Sequence, residues 1–153
     1  MSRRGVLERT TFIDAPIADV FDFFSLPENL GRITPPQMRF RILRGPNRRL
    51  REGDNIQYSM RVFGIPLRWT TRIALWRDGD AFADLQESGP YRYWLHTHTF
   101  REVDGRVEMH DRVEYELPFG FLGRLFGTPL VRSQLESIVA FRAKAIHDIF
   151  PPK

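Results

Sequence analysis

The feature that most constrains the fold is an Asp-Gly pair, Asp104-Gly105, which lies between two long runs of alternating side chains. The run before it, YRYWLHTHTF, and the run after it, VEMHDRVEYEL, alternate between large apolar and polar residues. Asp-Gly between two such runs is a strong signal for a two-residue β-hairpin turn. We therefore predict a long antiparallel hairpin that turns at this pair.

The turn also predicts which residues of the hairpin face each other. With a two-residue loop, Val103 pairs with Arg106, and counting back from there gives the remaining pairs. A slip of one residue would place Glu108 and Arg112 on the apolar face, which disfavours the alternative registers. One face of the hairpin is then aromatic and apolar with a few polar residues, and its predicted pairs are Trp94–Tyr115, His96–Val113, His98–Asp111 and Phe100–Met109.

Three earlier turns extend this hairpin into an antiparallel meander. We predict a two-residue loop at Asp78-Gly79, a three-residue loop at 88–90 and a four-residue loop at 63–66. The same counting places Trp76 on the outer face of the sheet. These loop lengths predict the pairs Leu75–Phe82, Ile73–Asp84, Thr71–Gln86, Phe82–His96, Asp84–Trp94, Met60–Trp69 and Tyr58–Thr71.

Helices are predicted on both sides of the meander. Asp14 is expected to cap a short helix, and a second short helix is expected from Pro27 to about Gly31. A long C-terminal helix should begin at Thr128-Pro129, because Thr is a favoured cap and Pro suits the first helical position, and end near Phe150. Its apolar stripe is formed by Val131, Leu135, Ile138, Phe141, Ala145 and Ile149.

These elements predict the fold class α+β. A curved antiparallel sheet of about six or seven strands would wrap around the long C-terminal helix, and two short helices would follow the first strand. Hydrophobic residues make up 42% of the 153 residues, enough for a core without metal or cross-links. We expect one domain spanning residues 1–153, present as a monomer or a weak homodimer.

Composition excludes several kinds of chemistry. The chain contains no cysteine, which excludes disulfides, thiolate catalysis and thiolate metal sites. Its polar N-terminal segment lacks the apolar core of a signal peptide, and no apolar run is long enough to cross a bilayer. We therefore expect a cytoplasmic protein that carries no cofactor.

Several motifs, in the order predicted above, resemble those of a known superfamily. They are Asp14-Ala-Pro16, Val20-Phe21, Ile33-Thr-Pro-Pro36, Phe82-x-Asp84-x-Gln86, Gly89-Pro90, Trp94-x-His96-x-His98-x-Phe100, and Asp111 through Pro118-Phe-Gly120. Over nearly its whole length the sequence resembles the START-like superfamily of polyketide cyclases and birch-pollen-allergen-like proteins, and within it the bacterial SRPBCC ligand-binding group. The resemblance implies the helix-grip fold. It also implies a deep, largely apolar cavity, between the sheet and the C-terminal helix, that holds a lipid, isoprenoid, polyketide or similar molecule.

The predicted inner face contains polar residues that apolar packing does not explain. Burying an unpaired polar group is costly, so each of these side chains needs a partner. In one interpretation they form a purely structural network, in which His98 bonds Asp111 across the hairpin and His96 or Gln86 bonds Asp84 or water. The polar set is Asp84, Gln86, His96, His98 and Asp111.

A second interpretation, which we favour, is recognition of a small hydrophobic ligand. Ligand cavities are mostly apolar and aromatic, with a few polar groups that orient one end of the ligand. Here the aromatic residues would supply the walls, and the polar set would bind one end. The predicted ligand-binding residues are Tyr58, Trp69, Phe82, Asp84, Gln86, Trp94, His96, His98, Phe100, Asp111, Tyr115 and Ile138.

Catalysis and metal binding are the remaining interpretations. A histidine held by a carboxylate is a competent general acid or base, so His98 with Asp111, or His96, would serve an enzyme resembling polyketide cyclases or aromatases. We can assign no nucleophile or oxyanion site from the sequence, and we expect a binding protein rather than an enzyme. The two histidines and Asp111 also resemble a two-histidine, one-carboxylate metal site, but the flanking Trp94 and Phe100 favour a dry site without metal.

Two surfaces give further expectations about partners. The net charge of +4 and the outer-face residues Arg68, Arg72 and Arg112 would suit nucleic acid or an anionic surface. Basic and acidic residues alternate along the chain, however, and we expect no nucleic-acid partner. The apolar segment Phe119–Gly127 lies where a cavity mouth is expected, and would gate the cavity or make transient contact with a membrane.

Overall fold

A seven-stranded antiparallel sheet and one long helix make up most of the structure. The computed structural model describes residues 4–153, apart from the side chains of residues 121, 122 and 124–126. The strands lie in the order β1-β7-β6-β5-β4-β3-β2, so successive hairpins build the sheet and β1 pairs with β7. They are β1 (Gly5–Ile13), β2 (Arg41–Arg44), β3 (Asn55–Val62), β4 (Ile65–Arg77), β5 (Ala81–Ser88), β6 (Tyr93–Val103) and β7 (Arg106–Glu116).

Helical segments follow the first and last strands. Helix α1 (Ile17–Phe24) and two 3-10 segments (Pro27–Ile33 and Pro36–Met38) come after β1, and helix α2 (Gly120–Ile149) comes after β7. The predicted α+β helix-grip architecture is confirmed. Within the described part of the chain, the search for a helix long and apolar enough to cross a bilayer finds none.

The β6–β7 hairpin has the predicted register, with all four predicted inner pairs present. Asp104 and Gly105 form the turn with φ angles of 52° and 77°. These positive values suit a tight hairpin turn, and Asp and Gly adopt them more readily than most residues. On the outer face Arg101 donates a hydrogen bond to Glu108 over 2.9 Å.

The β5–β6 hairpin differs from the prediction by two residues, since Asp84 pairs with His96 and not with Trp94. The connection is longer than predicted because the side chain of Gln86 forms hydrogen bonds with backbone atoms of the connection. Its Nε2 donates to the carbonyl oxygen of Tyr91 over 2.7 Å, and its Oε1 accepts from the N–H of Tyr91 over 3.1 Å. A shift of two residues keeps every side chain on its predicted face. The observed pairs are Ala81–Thr99, Phe82–His98, Ala83–Thr97, Asp84–His96 and Leu85–Leu95.

The β3–β4 turn is shorter than predicted. Phe63 and Gly64 alone form it, with φ angles of 52° and 77°, and Val62 consequently pairs with Ile65. The predicted four-residue loop and its pairs are therefore wrong, although the two-residue shift again preserves the faces. The observed pairs include Ile56–Thr71, Tyr58–Trp69 and Met60–Leu67.

A bulge in β4 changes which side chains face the core. The pairing with β5 shifts between Ile73 and Leu75, and an inserted residue reverses the alternation beyond it. Trp76 consequently packs against Phe21 and Phe82, with ring centroids 5.2 and 5.3 Å away. The predicted outward position of Trp76 and the predicted Leu75–Phe82 pair are both wrong.

Helix α2 begins at Gly120 and not at Thr128-Pro129 as predicted. Pro129 lies inside the helix, where a proline removes one hydrogen bond and bends a helix without always ending it. Gly123 allows the earlier turns to form, because a Cβ atom there would clash with the carbonyl oxygen of Pro118. The helix therefore starts directly after β7, in close contact with the end of that strand.

The buried core consists of three clusters with a cavity between them. One joins α1, the sheet and the end of α2 around Phe21 and Ile146. The second is centred on Tyr58 and Trp69 in β3 and β4, and the third joins β7 to α2 around Tyr115. Residues of all three clusters line the cavity.

Candidate functional site

The principal candidate site is the cavity between the sheet and α2. Its volume is about 570 Å³, within the range of small-molecule sites in proteins. Its lining is mostly apolar and aromatic, with a few polar side chains among them. The predicted ligand-binding residues that line it are Tyr58, Trp69, Phe82, Asp84, Trp94, His96, His98 and Ile138.

Four predicted residues do not line this cavity. Gln86 is turned toward the β5–β6 connection, where it bonds the backbone of Tyr91. Phe100 and Tyr115 are buried in the core clusters, with 3% and 2% of their surfaces exposed. Asp111 is buried as well, and it contacts the two histidines that do line the cavity. The inner face of the sheet is thus larger than the cavity it borders.

Two aspartates and two histidines on β5, β6 and β7 form a buried group that we call the His-Asp cluster (Asp84, His96, His98 and Asp111). Nε2 of His96 lies 2.9 Å from Oδ1 of Asp111, and Nε2 of His98 lies 3.1 Å from Oδ2 of Asp84. Both hydrogen bonds run diagonally between neighbouring strands. Asp84 therefore pairs with His98, and the predicted bond from His96 or Gln86 to Asp84 is not made.

Asp111 contacts the second histidine as well. Nδ1 of His98 lies 3.0 Å from Oδ1 of Asp111, but the contact is too bent for a regular hydrogen bond. It acts as charge pairing between the imidazole and the carboxylate. The predicted His98–Asp111 pair is therefore present as an ion pair. The carboxylate of Asp111 contacts both imidazoles, that of His96 and that of His98.

Ring stacking holds the two imidazoles in place. The ring of His98 lies between the rings of Phe82 and His96, with centroids 4.1 and 3.7 Å away and interplanar angles of 14° and 27°. The ring of Phe24 from α1 is tilted against the same imidazole, with the two ring centroids 6.4 Å apart. This packing fixes the orientation of both nitrogens of His98.

The surroundings of the two histidines favour different protonation states. Both nitrogens of His98 face carboxylates, which accept hydrogen bonds and cannot donate them when ionised. Burial lowers the pKa of His98, but the contacts with Asp111 and Asp84 outweigh burial and raise it above its ordinary value. Burial and the charge of His98 lower the pKa of His96. We therefore describe His98 as the cation and His96 as the neutral imidazole that donates from Nε2.

The two carboxylates remain ionised in spite of their burial. Burial raises the pKa of Asp111, but the hydrogen bond from His96, the contact with His98 and the charge of Arg142 hold it well below its ordinary value. The pKa of Asp84 is also lowered, because its bond from His98 and the neighbouring positive charges outweigh burial. The two carboxylates and the imidazolium of His98 thus stabilise one another, and neutral His96 adds a hydrogen bond to Asp111.

Sequence reasoning missed Arg142, a cationic residue of the cavity lining. It lies on α2, and its guanidinium carbon is 5.6 Å from the ring centre of Phe24. Its charge lowers the pKa of Asp84 and Asp111 without forming an ion pair with either within 4 Å. Arg142 follows Ile138 by four residues, so helical spacing in the sequence could have placed it on the cavity side.

Asp84, His96 and His98 also have the spacing of a possible metal site. One ligand atom from each lies within 4.8 Å of the others. Both nitrogens of His98 already face carboxylates, however, and Arg142 adds a positive charge near the same groups. The donor set therefore fits a proton-sharing network better than a cation.

Three exposed apolar side chains border the cavity. Phe63 lies in the β3–β4 turn and Ile65 follows the turn, while Phe119 precedes α2 with a φ angle of 68°. All three line the cavity, yet 55%, 60% and 84% of their surfaces are exposed. We call these residues the apolar rim. Within the segment predicted as a gate, Gly120–Gly127 has helical backbone, and five of its side chains lie outside the described residues.

Arginines on the outer face are largely neutralised by neighbouring acids. Arg72 lies 3.3 Å from Glu87, and Arg112 lies 2.9 Å from Glu114. Such pairs reduce the positive field that nucleic acid would need. The absence of a nucleic-acid partner stays a prediction.

Comparison with models of protein families identifies the group to which the chain belongs. Residues 13–139 match the family described as polyketide cyclase / dehydrase and lipid transport. The chain belongs to this family. The resemblance to the START-like superfamily, and to its SRPBCC-type members, is thereby confirmed.

Solved structures show that this member of the polyketide cyclase/dehydrase family shares its fold with bacterial and plant proteins. The Zhui aromatase/cyclase from Streptomyces sp. R1128 is 16% identical with a TM-score of 0.75, covering 94% of this chain and 92% of that one. Protein CV1439 from Chromobacterium violaceum is 12% identical with a TM-score of 0.74, covering 97% and 98%. The ginseng major latex-like protein 151 from Panax ginseng is 13% identical with a TM-score of 0.73, covering 97% and 99%. A search of curated proteins finds no match.

Proposed function

We propose that this protein binds a small hydrophobic molecule, such as a lipid, isoprenoid or polyketide, in the cavity between its sheet and α2. The observation that carries the proposal is the cavity of about 570 Å³, whose mostly apolar lining includes three polar residues of the His-Asp cluster (Asp84, His96 and His98) and Arg142. This combination is typical of sites that bury an apolar body and orient one polar end. Residues 1–153 would act as a single binding domain.

A purely structural role explains the His-Asp cluster less completely. A structural network satisfies its own polar atoms, and the two aspartates and two histidines do so to a large extent. The indole nitrogen of Trp69 and Nε of Arg142 are nevertheless buried without a hydrogen-bond partner among the described residues. Unsatisfied groups in the wall of a cavity support a guest that supplies the missing contacts.

The apolar rim suggests how a guest would enter. Phe63, Ile65 and Phe119 are exposed where they border the cavity. Large exposed apolar side chains grouped at one place favour contact with another apolar surface. We propose that a hydrophobic guest passes over this rim during brief contact with a membrane surface.

Binding is tested directly with a neutral fluorescent probe, N-phenyl-1-naphthylamine. The wild-type protein should bind the probe, and Ile138→Trp should weaken binding at least tenfold because it fills the cavity from α2. Ser137→Trp, at an exposed position on the same helix, should bind as the wild type does. Equal binding by both variants, or no binding by the wild type and no apolar molecule in native mass spectra, would contradict the proposal.

A second candidate function is a cyclase-like enzyme that acts on an enolisable polyketone. The supporting observation is that His96 lines the cavity with Nε2 2.9 Å from Oδ1 of Asp111. Burial and the charge of His98 lower its pKa, which favours the neutral imidazole with Nδ1 free to accept a proton. In such a reaction His96 would remove a proton from carbon, and Arg142 would stabilise the enolate oxygen. The enolate would attack a second carbonyl carbon, and the protonated His96 would return its proton to the new alkoxide. His98 is less suited as the base, because both its nitrogens face carboxylates.

The two functions are separated by His96→Gln. If the protein is an enzyme, this variant should lose turnover of a poly-β-ketone at least a hundredfold, while binding of the neutral probe changes little. Wild-type protein that binds such a compound and leaves it unchanged would exclude the enzymatic candidate. That result would leave the binding function intact.

A further inference from the structure

The cavity groups that lack partners are hydrogen-bond donors. Nε1 of Trp69 and Nε of Arg142 have no hydrogen-bond partner among the described residues, and both residues line the cavity. An indole N–H and a guanidinium can donate but cannot accept. A guest that satisfies them must therefore carry an acceptor.

Arg142 is the donor best placed to bind a polar end. Its guanidinium carbon lies 5.6 Å from the ring centre of Phe24, and a cation–π contact of this kind does not require its N–H donors. It lines the same cavity as Asp84, His96 and His98 of the His-Asp cluster. The donors of Arg142 are thus available at the polar part of the lining.

The charges at this part of the cavity balance without a guest. Asp84 and Asp111 supply two negative charges, and the imidazolium of His98 and the guanidinium of Arg142 supply two positive ones. A carboxylate brought by a guest would be a third buried negative charge facing the same two cations. Buried charge without compensation is strongly unfavourable. An uncharged acceptor satisfies the donors and leaves the balance intact.

We infer that the guest is an uncharged carbonyl compound, such as a ketone, ester or lactone, whose carbonyl oxygen accepts a hydrogen bond from Arg142. This inference rests on the proposed ligand-binding function and adds the chemical class of the guest. Free fatty acids and other carboxylates of equal size are disfavoured.

The test uses three probes with the same number of carbon atoms, namely 2-undecanone, undecane and undecanoate, in competition with N-phenyl-1-naphthylamine near neutral pH. The wild-type protein should bind the ketone more tightly than the carboxylate. Arg142→Met removes the donors but keeps an apolar side chain of similar length. This variant should bind 2-undecanone about tenfold more weakly than the wild type does. Undecane, which accepts no hydrogen bond, should bind the variant at least as well as the wild type.

Two further variants control the result. Arg132→Met makes the same substitution at a largely exposed position of α2 and should leave all affinities unchanged. Arg142→Lys keeps a charged donor and should recover part of the affinity for the ketone. Thermal unfolding reports whether each variant is folded. If Arg142→Met does not fold, the relative affinity of the wild-type protein for 2-undecanone and undecanoate decides the question.

Three outcomes would overturn the inference. Tighter binding of undecanoate than of 2-undecanone would mean that the site takes an anion. An unchanged ketone affinity in folded Arg142→Met would mean that Arg142 does not bind the carbonyl. Either result leaves the binding function standing if undecane still competes. Failure of all three probes to compete would contradict the binding function and this inference together.

Discussion

Nδ1 of His98 lies 3.0 Å from Oδ1 of Asp111, inside the sheet and next to the cavity. The two residues are directly opposite each other on β6 and β7, as the Asp104-Gly105 turn predicts. Their contact joins the bond from His98 to Asp84 with the bond from His96 to Asp111 in one network across three strands. The local turn thus determines that His98 and Asp111 lie opposite each other.

Removing the charge of Asp111 should destabilise the fold strongly. In Asp111→Asn the imidazolium of His98 keeps only Asp84 as a counter-charge, and the positive charge of Arg142 remains nearby. We expect the free energy of unfolding to fall by about 3 kcal/mol, as for other broken buried ion pairs. Urea denaturation measures this difference. Asp148→Asn, an exposed substitution on α2, should change stability by less than about 0.5 kcal/mol; equal effects of the two variants would contradict the role given to Asp111.

Stability should decline with rising pH because of His98. Its pKa is raised in the folded state above the unfolded value of about 6.5, so its proton stabilises the fold fully below that pH. The contribution is lost as the pH rises through the raised folded pKa. His96 has the opposite shift, and its contribution is present above pH ~6.5 and lost as the pH falls through its lowered folded pKa.

Two measurements check these protonation states. Long-range ¹H–¹⁵N NMR spectra near pH 7 should show both nitrogens of His98 protonated, and His96 protonated at Nε2 alone. Urea denaturation at several pH values above neutrality should show a decline for the wild type that is smaller in His98→Asn. A neutral His98 in the spectra, or the same pH profile in both proteins, would refute the assignment.

Zinc should bind weakly in spite of the spacing of Asp84, His96 and His98. A metal ion would have to displace the proton of His98 and break its bond to Asp84, close to the charge of Arg142. We expect 100 µM Zn²⁺ to leave the Tm unchanged, because a ligand present below its Kd stabilises the folded state very little. A rise in Tm that disappears in His96→Ala would show that the cluster does bind metal.

Trp76 should contribute to stability, although its place in the strand pattern predicts an outward side chain. The bulge in β4 turns it against Phe21 and Phe82. Trp76→Ala should lower the free energy of unfolding by about 2 kcal/mol, since the side chain is only partly buried. Arg77→Ala, an exposed neighbour on the same strand, is the matched control. A loss no larger than that of the control would mean that Trp76 does not pack in the core.

The apolar rim should govern contact with membranes. Phe63→Asp places a charge at a rim residue that is 55% exposed, and it should reduce binding to neutral liposomes at least fivefold in a sedimentation assay. Phe12→Asp changes an exposed phenylalanine that does not line the cavity, and should bind liposomes as the wild type does. Equal liposome binding by Phe63→Asp and Phe12→Asp, or no liposome binding by the wild type, would exclude a membrane role for the apolar rim.

The sequence predicts the faces of the strands better than their exact pairing. The Asp104-Gly105 turn determines its hairpin, whereas Gln86 lengthens another connection through side-chain bonds that no local pattern reveals. The errors in the β3–β4 and β5–β6 pairings are shifts of two residues, which leave the faces unchanged, whereas the error in the β4–β5 pairing is a shift of one residue that reverses them. The bulge beside Trp76 was missed because it depends on pairing with β5 and not on residue type.

The candidate site was predictable to the extent that it lies on the sheet. Asp84, His96 and His98 follow from strand alternation, but their hydrogen-bond partners depend on diagonal geometry between strands. Arg142 was missed because it comes from α2, whose placement over the cavity is a tertiary effect. Thr128 and Pro129 predicted a helix start that lies within α2, while the contact between Gly123 and Pro118 that lets the helix begin earlier appears only in three dimensions.

The placement of the tryptophans has a practical consequence. Trp69 and Trp94 line the cavity with their rings 5.1 Å apart, whereas Trp76 packs against α1 and lies outside the lining. Two of the three indoles in the chain are therefore at the place where a guest would lie. The intrinsic tryptophan fluorescence of the protein should therefore change when a guest occupies the cavity, and binding can be followed without an added label.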